Sequence, residues 1–355
     1  MEIIKPGINF DFIGRRYLGY GISALLLIAS LLTLVINAGP NFGIDFVGGT
    51  IVQVQFDRKV KIADVKTGLD QIGLGGSAVQ RFGAAEHNEF LIRTNDPLST
   101  GDDFSEHISS ALSASTDAAP EIRRVEMVGP QVGETLREKA LFALFYALLF
   151  ITIYISGRFE MKWMLSAATA GALIGAVYLF SLFNVSIPFL ILVALIVSLV
   201  LFYQLHLRFA MGATVALIHD VTITVGVFTL LGKEFSLPIV AALLTIIGYS
   251  LNDTIIVFDR IRENLRRHNR SSLEGNINRS INETLSRTIL TSATTLMVLL
   301  CLFFLGGDII HDFALAMIIG VVIGTYSSVF VASPMLLFMA GGAAPPQRTA
   351  ASEAA

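Results

Sequence analysis

Apolar and polar positions change rhythm twice along the chain. After a polar start carrying Lys5, Arg15 and Arg16, residues 18–37 form a nearly unbroken apolar run. As a helix, such a run crosses ~30 Å of hydrocarbon, and it reads as an uncleaved first span rather than a signal peptide. The pattern then breaks into short segments. Residues 50–56 (TIVQVQF) alternate with period two, as a half-buried strand does. Residues 62–72 place Ile62, Val65, Leu69 and Ile72 at helical spacing. Segments 77–82 and 89–93 read as strands, 102–114 as a helix with Phe104, Ile108 and Leu112 on one face, and 122–128 as a last strand. This βαββαβ order predicts a small ferredoxin-like α+β domain. From residue 139 the rhythm changes again. Long apolar runs at 139–156, 163–181, 188–207, 210–231, 237–258, 287–305 and 313–333 predict seven further spans, eight in all.

Composition agrees with this division. The 355 residues are 54% hydrophobic and 15% charged, too apolar for a soluble domain. A net charge of -3 gives no reason to expect a nucleic-acid partner. The single cysteine, Cys301, lies in an apolar run, where a small buried hydrophobe is the expectation. Basic residues set the orientation. Arg15, Arg16, Arg158, Lys162, Arg208, Arg260, Arg262, Arg266, Arg267, Arg270, Arg279 and Arg287 all fall on one set of boundaries, whereas the opposite short loops carry only Lys233. The first set is therefore expected in the cytoplasm, with both termini there and the α+β domain outside. The expected organisation is a cytoplasmic start and first span (1–37), an outside domain (38–135), a helical bundle (136–340) and a disordered cytoplasmic tail rich in Ala, Gly and Pro (341–355).

Polar groups inside the spans are the candidates for chemistry. An Asp at a helix centre in lipid costs on the order of 2.5–3.5 kcal/mol, so a chain that keeps one has a partner or a use for it. Asp220 lies midway along its span beside His219, and Asn252 and Asp253 lie on the next. The span after that begins with Arg287 and continues through Thr288, Thr291, Ser292, Thr294 and Thr295. Buried acids and hydroxyls of this kind build proton relays. The alternative is that they only bond helices together, at ~0.6 kcal/mol per contact. His219 sits about 100° around the helix from Asp220, so the two need not share a face. Asp259 and Arg260 are as readily a helix-end pair. Gly320 and Gly324 mark a close-contact seam, and Gly171 and Gly175 a second GxxxG. There is no His-Glu-x-x-His site and no phosphate-binding Gly-x-x-x-x-Gly-Lys loop. No metal, cofactor or enzymatic activity is therefore expected.

Residues 248–264, GYSLNDTIIVFDRIREN, resemble a signature of the SecD/SecF family of bacterial protein-export subunits. Gly43-Ile44-Asp45-Phe46-Val47-Gly48-Gly49 and Val128-Gly129-Pro130-Gln131-Val132-Gly133 are similar to two further elements of that family, and tight turns at a membrane boundary, rather than any chemistry at Asp45, are the favoured account of them. The resemblance is to the SecF-like members. It implies a half-transporter of the resistance-nodulation-division (RND) kind in the bacterial cytoplasmic (inner) membrane. Such a subunit pairs with SecD and uses the proton motive force to promote preprotein translocation after the SecYEG channel and the SecA motor have begun it. YajC and YidC are further implied partners. Asp220, Asn252 and Asp253 would then be the proton-pathway residues, with His219, Asp259, Arg260, Arg287 and Thr291 as accessory candidates. The chain departs from the family in one respect: SecF-like members have six spans. Arg158-Phe159-Glu160-Met161 is echoed by Arg208-Phe209-Ala210-Met211, and the two extra spans lie between the echoes, at about 159–208. A proton-coupled exporter of small molecules and a scaffold that moves no protons are the competing readings.

Overall fold

The chain folds as a helical bundle carrying a small sheet domain at one end. The computed structural model describes residues 9–82, 87–94, 104–181, 186–268 and 271–341. Lys5, Asp102, Arg270 and the tail expected to be disordered lie outside the described residues. The first span is α1 (Arg16–Ile36). A single helical turn, α2 (Ile44–Val47), leads into the sheet domain: β1 (Gly49–Phe56), α3 (Ile62–Gln71), β2 (Ala78–Phe82), β3 (Glu89–Thr94), α4 (Phe104–Thr116) and β4 (Pro120–Val128). The strands lie in the order β2-β3-β1-β4, every neighbouring pair antiparallel. This is the split βαβ arrangement that the element order predicts. Burial alternates strictly along β1. Val52, Val54 and Phe56 point to one face, where they pack with Phe90 and Ile92 of β3, Val65 and Leu69 of α3, and Ile108 and Leu112 of α4. The other face of the sheet looks toward the bundle.

The bundle consists of α5 (Pro130–Ile155), α6 (Trp163–Ser181), α7 (Ile187–Gln204), α8 (Arg208–Leu230), α9 (Leu237–Arg267), α10 (Leu273–Leu305), α11 (Asp308–Ser327) and α12 (Ser333–Ala340). Wide turns with π-helical bonding follow α5 at Ser156–Glu160 and join α11 to α12 at Ser328–Ala332. Among the described residues, seven helices are long and apolar enough to cross a membrane, and α7 adds a 17-residue apolar stretch, Pro188–Gln204. The chain is thus a multi-pass membrane protein.

Three helices run past their apolar runs. The helix expected from residue 139 starts at Pro130, whose missing N–H costs nothing at a helix start. Helix α9 continues to Arg267 and α10 begins at Leu273, so the two form a polar antiparallel extension beyond the bundle. There Asn264 donates to Ser280 and Glu283, and Arg260 pairs with Glu263 and Glu283. Hydropathy alone does not detect a helix held by such contacts. Cys301 is exposed on α10 rather than buried, because the outer face of α10 packs against nothing among the described residues.

The central helix is α8. Its buried side chains lie on every face, among them Ala213, Leu217, Asp220, Ile223, Thr224 and Phe228. The α9–α11 contact is made by the predicted seam: a Cβ at Gly320 would fall 2.3 Å from the Ile246 side chain, and one at Gly324 would fall 2.9 Å from Ser250. On α6, by contrast, Gly171 and Gly175 have open space beside them.

Candidate functional site: two buried carboxylates on adjoining helices

Asp220 is fully buried at the centre of the bundle. Its Oδ1 is 2.9 Å from His219 Nδ1. Its Oδ2 accepts hydrogen bonds from Ser250 of α9 at 2.5 Å and from Ser327 of α11 at 2.8 Å. The far nitrogen of His219 meets Ser23 of α1 at 3.1 Å, and Ser23 in turn meets the Tyr326 hydroxyl at 3.1 Å. One carboxylate therefore ties together α1, α8, α9 and α11. The 100° offset that separates His219 from Asp220 on the helix does not separate their side chains, because the imidazole turns back along the surface to the carboxylate.

Asp253 is equally buried but poorly partnered. Its Oδ2 lies 3.5 Å from Ser292 Oγ of α10, at the edge of hydrogen bonding, and its Oδ1 has no partner among the described residues. Ser292 meets Thr325 of α11 at 2.7 Å. Thr288, one turn before Ser292, has a buried hydroxyl that is also unpartnered. Buried polar atoms without partners are rare and call for an explanation. The two acids share their supporting helices: α9 carries Ser250 to Asp220 and Asp253 one turn later, and α11 carries Ser327 to Asp220 and Thr325 towards Asp253. On α9 a hydroxyl and a carboxylate, Ser250 and Asp253, are three residues apart, and on α11 two hydroxyls, Thr325 and Ser327, are two apart. That spacing was present in the sequence, but only the α9–α11 packing gives it meaning.

The other sequence candidates are more scattered. Asn252 is exposed on α9. Arg287 is also exposed, though its charge acts on Asp253. Thr291 bonds back to the carbonyls of Arg287 and Thr288 within its own helix. Asp259 and Arg260 do not pair with each other. Asp259 binds Arg158 at 2.6 Å, while Arg260 binds glutamates on α9 and α10.

Sequence reasoning missed two structural sites. At the base of the sheet domain, Asp45 accepts the Leu237 N–H at 2.9 Å and so caps the start of α9. The neighbouring backbone is shared between the two segments: Gly43 N–H donates to Phe235 O, and Phe235 N–H donates to Asn41 O, each at 2.7 Å. Arg93 of β3 is ion-paired with Glu234 in the same junction. Burial holds its guanidinium below its usual pKa, and the charge of Asp45 opposes that effect. Gly48, at φ +84°, lies so close to Pro130 that a Cβ would fall 2.8 Å from the Pro130 Cα, so glycine is required there. The second missed site is Glu160, which accepts the Phe209 N–H at 2.9 Å and caps α8. Phe159 stacks on Phe209 with centroids 5.1 Å apart, and both contact Phe258 edge-on. The Lys162 ammonium donates to Leu205 O at 2.9 Å. The phenylalanines of the two echoed Arg-Phe pairs thus meet in space, closing the α6–α7 hairpin at its neck.

Comparison with known proteins gives consistent matches. The family described as "Protein export membrane protein SecD/SecF, C-terminal" matches residues 108–197 and 172–342, two pieces whose overlap falls on α6 and α7. The "SecD/SecF GG Motif" matches residues 33–60, which include Asp45 and Gly48. The protein translocase subunit SecF of Magnetococcus marinus is 44% identical over 359 residues, covering 100% of this chain and 99% of the relative. That of Vibrio alginolyticus is 38% identical over 336 residues, covering 95% and 91%. Among solved structures, SecDF of Thermus thermophilus, a translocon-associated membrane protein, superposes with TM-score 0.72 at 31% identity over 94% of this chain. A SecDF structure in a super-membrane-facing form superposes with TM-score 0.60 at 32% identity over 96%. The present chain spans only 39% and 40% of those two solved chains.

Proposed function

The chain belongs to the SecD/SecF family of protein-export membrane proteins, and from that premise we propose that it is the SecF-type subunit of a Sec export complex, coupling proton movement to preprotein translocation. It is a non-enzymatic subunit on this reading. The observation that carries the reading is the pair of buried carboxylates. An acid out of water is stable only if it is neutralised or well bonded. Asp220 is well bonded. Asp253 is left with an oxygen that has no partner among the described residues, and Thr288, one turn before its neighbour Ser292, has a hydroxyl in the same state, the arrangement of a group that exchanges its proton rather than one that holds a fold together. Protonated, Asp253 acts as a donor and bonds Ser292 or Thr288; ionised, it attracts Arg287. The Ser292–Thr325 contact links either state to α11, and Ser327 on that helix contacts Asp220.

The outward face of α9 and α10 supports pairing with SecD. Asn252, Arg287 and Thr294 are exposed there. In hydrocarbon such groups need polar partners, which helices of a second subunit would supply. The solved SecDF chains, more than twice as long as this one, are consistent with such a partner. The basic ends of the helices lie in the cytoplasm of a bacterial inner membrane on this reading, with the sheet domain outside and facing the emerging preprotein. SecYEG, SecA, YajC and YidC enter as partners of the assembled complex.

The test is translocation of a preprotein into membrane vesicles with and without a proton gradient. Asp253→Asn should insert, co-purify with SecD and lose the gradient-dependent part of translocation. Normal gradient-dependent export by that variant removes the proposal. Co-purification of SecD and SecYEG with the tagged chain separates it from a small-molecule exporter.

A further inference from the structure

A second polar–apolar junction lies on the far side of His219 from Asp220. Here α1, α7, α8 and α12 enclose a cavity of about 430 Å³. Its walls include Tyr20, Ala24 and Leu27 of α1, Ile218 of α8, and Met335 of α12, and Leu199 of the α6–α7 hairpin closes one side. Ser23 and His219 reach the wall but are turned to each other and to Tyr326 or Asp220, so the cavity offers almost no free hydrogen-bonding group. A roomy cavity without polar partners does not hold ordered water. Its mouth carries Phe338, exposed at 66%, and Tyr20, exposed at 38%, and it opens at the depth of the membrane-spanning helices.

From these observations we infer that the cavity binds one acyl chain of an anionic phospholipid. Size fits the assignment. An apolar cavity of ~150 Å³ holds a six-carbon ring, so the present cavity has room for roughly three times as many carbons, about one membrane acyl chain. Charge sets the headgroup. The cavity lies in the half of the bundle where α1 and α8 begin, and those ends carry Arg15, Arg16 and Arg208. Arg16 is taken up by Glu274, but Arg15 and Arg208 have no ion-pair partner among the described residues. A phosphate headgroup at that level, with its chain running down past Tyr20, satisfies both features. The hairpin thereby has a role: through Leu199 it turns a lipid-exposed groove beside His219 into a chain-sized pocket, and the bound chain seals the imidazole partner of Asp220 from stray water.

The full-length protein, reconstituted in phosphatidylcholine vesicles doped with phosphatidylglycerol bearing a photoactivatable acyl chain, tests this directly. After illumination, labelled peptides are mapped by mass spectrometry. The label should concentrate on the segments around Ala24 and Met335. Ala24→Trp, which fills the cavity, should reduce that labelling several-fold while leaving labelling at the exposed Met297–Val298 face of α10 unchanged. Leu199→Trp fills the same space from the hairpin and should act alike, so a folding defect specific to one variant does not decide the result. Even labelling of all lipid-facing helices, labelling insensitive to both variants, or equal labelling by a phosphatidylcholine probe overturns the inference.

Discussion

Replacing Asp220 by Ala removes a carboxylate on which three groups converge: His219 Nδ1 and the donors Ser250 Oγ and Ser327 Oγ. Polar contacts between membrane helices average ~0.6 kcal/mol, which gives a lower bound near 2 kcal/mol for the three together. Taking the low end of the range for hydrogen bonds to a charged group, about 1.5 kcal/mol each, gives a second figure near 4.5 kcal/mol for the three. Asp220→Ala should therefore destabilise the bundle by about 2–4.5 kcal/mol, a shift of some 30-fold or more in the unfolding equilibrium. Asp220→Asn keeps one oxygen acceptor and should cost less than half of that, while losing the gradient-dependent part of translocation. Reversible unfolding of the purified protein in mixed micelles measures both variants, and Ser250→Ala combined with Ser327→Ala tests the same contacts from the opposite side. If Asp220→Ala unfolds within ~0.5 kcal/mol of the parent, the four-helix junction built around this carboxylate is not an organising contact, and the reasoning from geometry fails.

Three further outcomes follow from particular contacts. Asp45→Ala removes the cap of α9 and should cost about 1 kcal/mol, read as faster amide exchange in the first turn of α9; unchanged exchange would refute the cap. Gly320→Ala places a methyl against Ile246 and should destabilise by roughly 1–3 kcal/mol through overpacking, checked by the same mixed-micelle unfolding. Removing residues 161–208 and joining Glu160 directly to Phe209 should leave a chain that still inserts and co-purifies with SecD, because the two residues already touch; loss of insertion would mean that the hairpin is integral to the bundle.

Much of this architecture could be read from the pattern of residues. The strict alternation in 50–56 and the helical spacing of Val65, Leu69, Ile108 and Leu112 place the sheet domain and its two covering helices, since each element buries a single face. The apolar runs place the bundle helices. The ends were misjudged where polar contacts hold a helix together, as at Asn264 and Glu283 on the α9–α10 extension. Asp220 and Asp253 stood out because a carboxylate among apolar residues is conspicuous in any sequence. Their contrast did not. Asp220 is saturated by Ser250 and Ser327, which come 30 and 107 residues further along the chain, whereas Asp253 has only the long Ser292 contact on one oxygen. Only the approach of α9 to α11, permitted by Gly320 and Gly324, decides which acid is bonded and which is left open. Asp45 and Glu160 were missed for the same reason. The amides they cap lie 192 and 49 residues away.

The cap at Asp45 has a mechanical corollary. Helix α9 begins at Leu237 under the sheet domain and reaches Asp253 sixteen residues later, a continuous stiff strut of ~24 Å with no break between. A tilt of the sheet domain cannot be absorbed at a loose joint there. It pushes or pulls directly on the carboxylate, and a change at the carboxylate is delivered back to the domain along the same axis.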